Sequence, residues 1–122
     1  MSIYLVFLVG AGGGLGSIFR FLLSTILISF SPWVTVLINI LGGFAIGFIY
    51  RLTQEFSSTD QMRAFWIIGV CGGFTTFSAF GLDFFHLLRS EQIELGILYI
   101  FLSVVGTITA VFLGIRLFQV LS

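Results

Sequence analysis

At 122 residues the chain is one domain's worth, read as a single unit over 1–122. Only 8% of it is charged and 58% is hydrophobic, against roughly 25% charged in a water-soluble domain, so an ordinary aqueous surface is excluded. Five Arg balance five acids with no Lys, which leaves no polybasic patch for nucleic acid, and Cys71 stands alone, which excludes an intrachain disulfide and a Cys metal cluster.

The charge-free stretches predict an all-α integral membrane protein, because a helix crosses the hydrocarbon core in about 20 residues. The first predicted span covers 3–29. It lacks a basic segment at its start, so a cleaved signal peptide is not expected. Gly10, Gly12, Gly13, Gly14 and Gly16 crowd it. Small residues let helix backbones approach closely in lipid, whereas a nucleotide-binding loop would need a preceding strand and a Lys. Arg20 follows the glycines. A charged group in a span is either a functional residue or one that snorkels to the interface.

Ser31-Pro32 separates the first span from a second at 32–51, because Pro disfavours helix at the residue before it and can open a helix itself. Gly43 and Gly47 form a GxxxG pair there. Asn39 sits in the middle of this span, where it either holds helices together or faces a pore, with an amide able to donate to an anion. A short polar loop, 54–61, leads on to the third span.

The third predicted span, 62–88, carries Gly72-Gly73-Phe74-Thr75-Thr76-Phe77-Ser78 at the centre of a charge-free stretch. Paired Gly weakens a helix, and neighbouring hydroxyls can bond the freed backbone groups. The stretch reads as a kink or as a true break, and a break presents carbonyls at one half-helix end and amides at the other. Phe77 and Phe80 share a face; such rings usually meet lipid or core, but their positive edges can also solvate an anion. Asp83 and His86 share a face near the end of the span and could pair with each other, with Arg20 or with water. The fourth span, 93–119, places Tyr99 and Ser103 on one face and continues a small-residue stripe through Gly106, Ala110 and Gly114. Arg51, Arg63 and Arg116 lie towards one membrane side, against Arg89 and the deeper Arg20 on the other. That bias is feeble under the positive-inside rule. It fits a weakly oriented protein or a dual-topology one that pairs antiparallel.

Three motifs carry a resemblance: Gly12-Gly13-Gly14-Leu15-Gly16-Ser17-Ile18-Phe19-Arg20-Phe21, Asn39-Ile40-Leu41-Gly42-Gly43-Phe44-Ala45-Ile46-Gly47, and Gly69-Val70-Cys71-Gly72-Gly73-Phe74-Thr75-Thr76-Phe77-Ser78-Ala79-Phe80. With them the chain resembles the Fluc (CrcB-type) fluoride channels over nearly its whole length. The resemblance implies four transmembrane helices with a broken third helix, in an antiparallel dual-topology homodimer in the bacterial inner membrane. It implies no enzyme activity, but two passive fluoride pores. Asn39, Phe77, Phe80, Thr76, Ser78, Tyr99 and Ser103 would line them, with Arg20 near an aqueous vestibule. It also implies a structural sodium (Na+) on the dimer axis, held by the backbone carbonyls of Gly72 and Thr75. The chain departs from the family at Ala79, where Thr is frequent, and at Asp83, where Glu is frequent.

Two other functions compete. A small proton-coupled drug or guanidinium exporter would need a carboxylate deep in the first span, and residues 1–29 contain none. A structural subunit of a larger membrane complex would leave the hydroxyl cluster of the third span without a task.

Overall fold

The computed structural model describes residues 1–122. Four spans are long and apolar enough to cross a membrane: Ile3–Ile26, Trp33–Thr53, Thr59–Arg89 and Ile93–Leu121. The first ends three residues before the predicted position, because Ile28–Phe30 tightens into a 3-10 turn ahead of Pro32. The second helix starts at Trp33, directly after Pro32.

Only 20 of the 122 residues are buried, and the outward faces are apolar: Phe7, Ile18, Phe21, Phe101 and Phe112 all point away from the protein. In water such a surface would aggregate; in lipid it is the ordinary exterior. What holds the spans together is close backbone approach rather than a large core. The spans pack chiefly in two pairs of comparable extent, one with three and two with four. Because spans two and four run in the same direction, the small residues of one meet those of the other in sequence. A Cβ on Gly47 would lie 2.9 Å from the Val111 carbonyl carbon, and one on Gly43 would lie 2.9 Å from the Thr107 oxygen. Gly114 returns the contact from span four, 2.8 Å from the Phe48 nitrogen.

The third span is not uniform. It opens with an α-helical turn at Thr59–Met62, widens into π-helical turns over Arg63–Cys71, and closes with one α-helical turn at Gly72–Phe74. Thr75 and Thr76 are then extended, at φ −80°, ψ 159° and φ −153°, ψ 118°. A regular helix resumes over Phe77–Arg89. The helix-weakening effect was expected at Gly72-Gly73, yet both glycines are helical. Gly73 serves packing instead: a Cβ there would sit 3.0 Å from the Gly13 Cα. The two threonines, β-branched and rich in hydrogen-bonding capacity, carry the extended backbone.

At the far end of the third span, Gln92 N–H donates to the Leu87 carbonyl and Glu91 N–H to the Leu88 carbonyl, both at 3.0 Å. This pair of bonds is the Schellman closure of a helix C-terminus, which places its turn residue in left-handed backbone. Glu91 occupies that position, with φ 57°.

Candidate functional site

The extended pair lies between helices that each supply a partner. Thr75 Oγ1 donates back to the Cys71 carbonyl at 2.9 Å, and so does the Thr75 N–H, also at 2.9 Å. Thr76 is the N-cap of the helix Phe77–Arg89: its Oγ1 accepts from the Ala79 N–H at 3.1 Å and lies 3.3 Å from Ser78 Oγ. Capping of this kind satisfies one of the amides that every helix start leaves without an intrahelical partner. Span two contributes Asn39, whose Nδ2 donates to the Thr76 carbonyl at 3.0 Å and whose Oδ1 accepts from the Thr76 N–H at 2.8 Å. Asn39 therefore does hold two spans together, and one amide hydrogen remains for another acceptor.

Downstream, the rings follow in a row. Phe77 and Phe80 have centroids 5.4 Å apart, and Phe80 stacks on Tyr99 at 5.6 Å with planes 9° apart. Trp33 tilts against Tyr99 from the other side, at 5.8 Å. Tyr99 is fully buried, while Phe77 is 83% exposed. Tyr99 Oη donates to Asp83 Oδ2 at 2.7 Å. The side-chain partner of Asp83 is thus neither His86 nor Arg20. Nor does Tyr99 keep a free hydroxyl hydrogen for an ion, since its single O–H is given to the carboxylate. No spacing rule could have found this bond, because residues 83 and 99 lie on different helices.

Ser103 completes the arrangement. It is buried, and its Oγ has no hydrogen-bond partner in the chain. It lines an open groove of about 380 Å³ together with Asn39, Thr75, Thr76, Phe77 and Phe80. Thr76 also borders a second cavity of about 290 Å³, where Arg20, Ser17, Ser24 and Thr35 face inward. The structure thus brings Asn39, Thr76, Phe77, Phe80 and Ser103 to one groove and Arg20 to an adjoining polar one. Ser78 reaches the group through Thr76, and Tyr99 reaches it through its stack on Phe80. Gly72 stands one helical turn before the extended pair, and Thr75 is part of it. His86 is exposed on the helix Phe77–Arg89, beside the Phe85 ring at 5.8 Å.

Chemically, the groove offers hydroxyl and amide hydrogens and ring edges, with one guanidinium nearby and no group of three or more His, Cys, Asp or Glu that could hold a metal. Such a set suits the passage of a small anion better than bond-making chemistry, which would need a nucleophile or a paired acid and base.

Comparison with known proteins places the chain in a family. The description "CrcB-like protein, Camphor Resistance (CrcB)" matches residues 7–115. A protein of Rhizobium meliloti (strain 1021) named "Fluoride-specific ion channel FluC" is 41% identical over 119 residues, covering 93% of this chain and 95% of that protein. Proteins of the same name from Azobacteroides pseudotrichonymphae and Leptospira interrogans serovar copenhageni are 39% and 42% identical, covering 89% and 88% of this chain and 91% and 89% of their own lengths. With four membrane spans and a match of this extent, the chain is a multi-pass membrane protein that belongs to the CrcB family.

Proposed function

We propose that this protein is a fluoride channel, through which the ion leaves the cytoplasm passively. The observation that carries the proposal is the groove at Thr75-Thr76: a partnerless buried hydroxyl on Ser103, an exposed Phe77 ring and a capped half-helix meet at membrane depth. The names borne by relatives about 40% identical over most of the chain support fluoride as the ion.

The physics of the ion explains the choice of groups. Moving a small anion into a low-dielectric medium costs on the order of 20 kcal/mol by an idealised estimate, so a pore must replace its water. Ser103 Oγ, Ser78 Oγ and the remaining Asn39 amide hydrogen are donors that can do so, and the edges of Phe77 and Phe80 present the positive part of the ring quadrupole. None of these is a fixed full charge. A cation at mid-pore would hold the ion too firmly for release, whereas conduction needs binding that is favourable and weak at once. Arg20 stands in the adjoining polar cavity, off the ring track, where its charge can gather anions without trapping them. Asp83 would repel an anion, but it is not among the residues lining the groove, and one of its oxygens is engaged by the Tyr99 hydroxyl.

The assembly we propose is an antiparallel dual-topology homodimer with two pores. The feeble Arg bias supports it, as does the open groove that one chain leaves at Phe77, which a second copy would close. In that dimer a structural sodium would sit where the carbonyls of Gly72 and Thr75 from both chains converge. The residues present fit such an ion. The Thr75 carbonyl oxygen accepts no hydrogen bond within the chain, and a hard cation prefers oxygen ligands. When bound, sodium would supply a fixed positive charge between the two extended segments.

The test is efflux from liposomes read by a fluoride electrode, with and without an imposed pH gradient. Efflux that needs no gradient is expected. Strict dependence on a gradient would favour a proton-coupled exporter.

A further inference from the structure

In extended backbone, a residue's own N–H and C=O point to the same side, which is how a neighbouring strand exchanges two bonds with it. Thr76 has this conformation, at φ −153° and ψ 118°, but its neighbour is a side chain. The Asn39 carboxamide takes the strand's place, accepting from the Thr76 N–H at 2.8 Å and donating to the Thr76 carbonyl at 3.0 Å. Those two bonds fix two successive peptide planes. In a planar trans peptide the C=O and N–H point in opposite directions. The Thr75 carbonyl, which shares a plane with the Thr76 N–H, is therefore directed away from Asn39. The Phe77 N–H, which shares a plane with the Thr76 carbonyl, is directed away as well. The Thr75 carbonyl oxygen, moreover, has no hydrogen-bond partner in the chain.

From this geometry, and resting on the channel reading above, we infer that Asn39 is a positioning residue for two sites at once. It aims the Thr75 carbonyl at the sodium position, and it sets the start of the half-helix that carries Phe77 and Phe80. Its influence on the anion runs mainly through the Thr76 backbone, because both ends of its carboxamide are engaged there, the oxygen by the Thr76 N–H and one amide hydrogen by the Thr76 carbonyl. Span two thus ties the cation site to the ring track through a single side chain. Asn39 follows no capping rule and belongs to no charge cluster; its amide simply matches the repeat of an extended backbone.

The test uses the full-length purified protein. Two changes are made separately and together: Asn39→Leu, which removes both bonds, and an amide-to-ester replacement at Thr76, which removes the N–H donor and leaves every side chain intact. The first readout is the sodium concentration that gives half of the maximal thermal stabilisation, with N-methylglucamine holding ionic strength constant. The second is fluoride efflux from liposomes. A lost hydrogen bond of ordinary strength corresponds to a shift of about 3- to 10-fold. Each change is expected to raise the sodium midpoint by that much and to slow efflux. The ester also weakens the Thr75 carbonyl as a ligand, so the coupling decides. In the Asn39→Leu background the ester should add less than about half of its effect on the logarithmic scale of the wild-type background.

Additive shifts, or an Asn39→Leu protein with slowed efflux and an unchanged sodium midpoint, would overturn the inference and make Asn39 a direct donor to the ion. Should Asn39→Leu fail to fold, Asn39→Asp, which keeps the acceptor and loses the donor, takes its place in the cycle under the same criterion. Wild-type protein that passes fluoride without any sodium response would overturn the inference while leaving the channel reading intact. Wild-type protein that passes no fluoride would remove the channel reading itself.

Discussion

Tyr99 is where two energetic contributions can be separated cleanly. Its ring is fully buried, stacked on Phe80 at 5.6 Å and tilted against Trp33 at 5.8 Å, while its hydroxyl donates to Asp83 at 2.7 Å. Tyr99→Phe removes the hydroxyl and leaves the stack. Hydrogen bonds between membrane helices average about 0.6 kcal/mol and reach at most about 1.7 kcal/mol. The acceptor here is a carboxylate, and charge-assisted bonds are roughly twice as strong as neutral ones, so about 1 to 1.7 kcal/mol is expected. Tyr99→Ala also removes the ring, and truncating a buried aromatic costs about 3 to 5 kcal/mol. The ring therefore outweighs the hydroxyl by a factor of about two to three on those figures. Reversible unfolding in mixed micelles measures both, and a double-mutant cycle with Asp83→Asn isolates the bond. A coupling energy below about 0.3 kcal/mol, within the scatter of independent sites, would refute the bond's assigned strength. Equal losses from Tyr99→Phe and Tyr99→Ala would refute the ranking. Fluoride efflux should follow the ring: the Phe substitution keeps Phe80 in place, and the Ala substitution releases it.

Further outcomes are expected elsewhere. Phe80→Ile should slow fluoride efflux in the liposome assay while leaving assembly intact on size-exclusion chromatography; unchanged efflux would remove the ring-edge role. Gly47→Val should destabilise by about 1 to 3 kcal/mol in the unfolding assay, because the new side chain meets the Val111 backbone. Glu91→Gly should stabilise by about 1 kcal/mol, since a non-glycine residue in left-handed backbone carries a penalty of that order, and Glu91 has φ 57°. A C-terminal reporter should be found on both sides of the membrane in cells; a single orientation would contradict dual topology for this chain.

Much of this was legible in the sequence because hydrophobic length and charge-free runs reflect the thickness of the bilayer directly. The second and fourth spans, expected from residues 32 and 93, begin at Trp33 and Ile93. The GxxxG pair Gly43 and Gly47 and the stripe residue Gly114 pointed correctly to close helix approach. Less legible was the division of labour around the interruption. Gly72 and Gly73 drew attention as helix breakers, but an achiral residue signals close packing and backbone freedom equally well, and Gly73 is used for packing against Gly13. The extended residues are instead two threonines whose backbone is held from another span. That partnership, like the bond between Asp83 and Tyr99, depends on how helices far apart in sequence come together, and no local periodicity encodes it. For Asn39 the sequence left two roles open, helix contact and pore amide. The structure makes the first one concrete through its two bonds to Thr76.

The central claim is selective fluoride conduction, and an electrical recording addresses it most directly. With purified protein in a planar bilayer, fluoride on one side and an equal concentration of chloride on the other, the reversal potential reports the permeability ratio. A reversal potential displaced strongly towards the fluoride equilibrium potential, with currents carried in either direction and indifferent to pH, is the predicted result. A reversal potential near zero, or no current at all, would contradict the account.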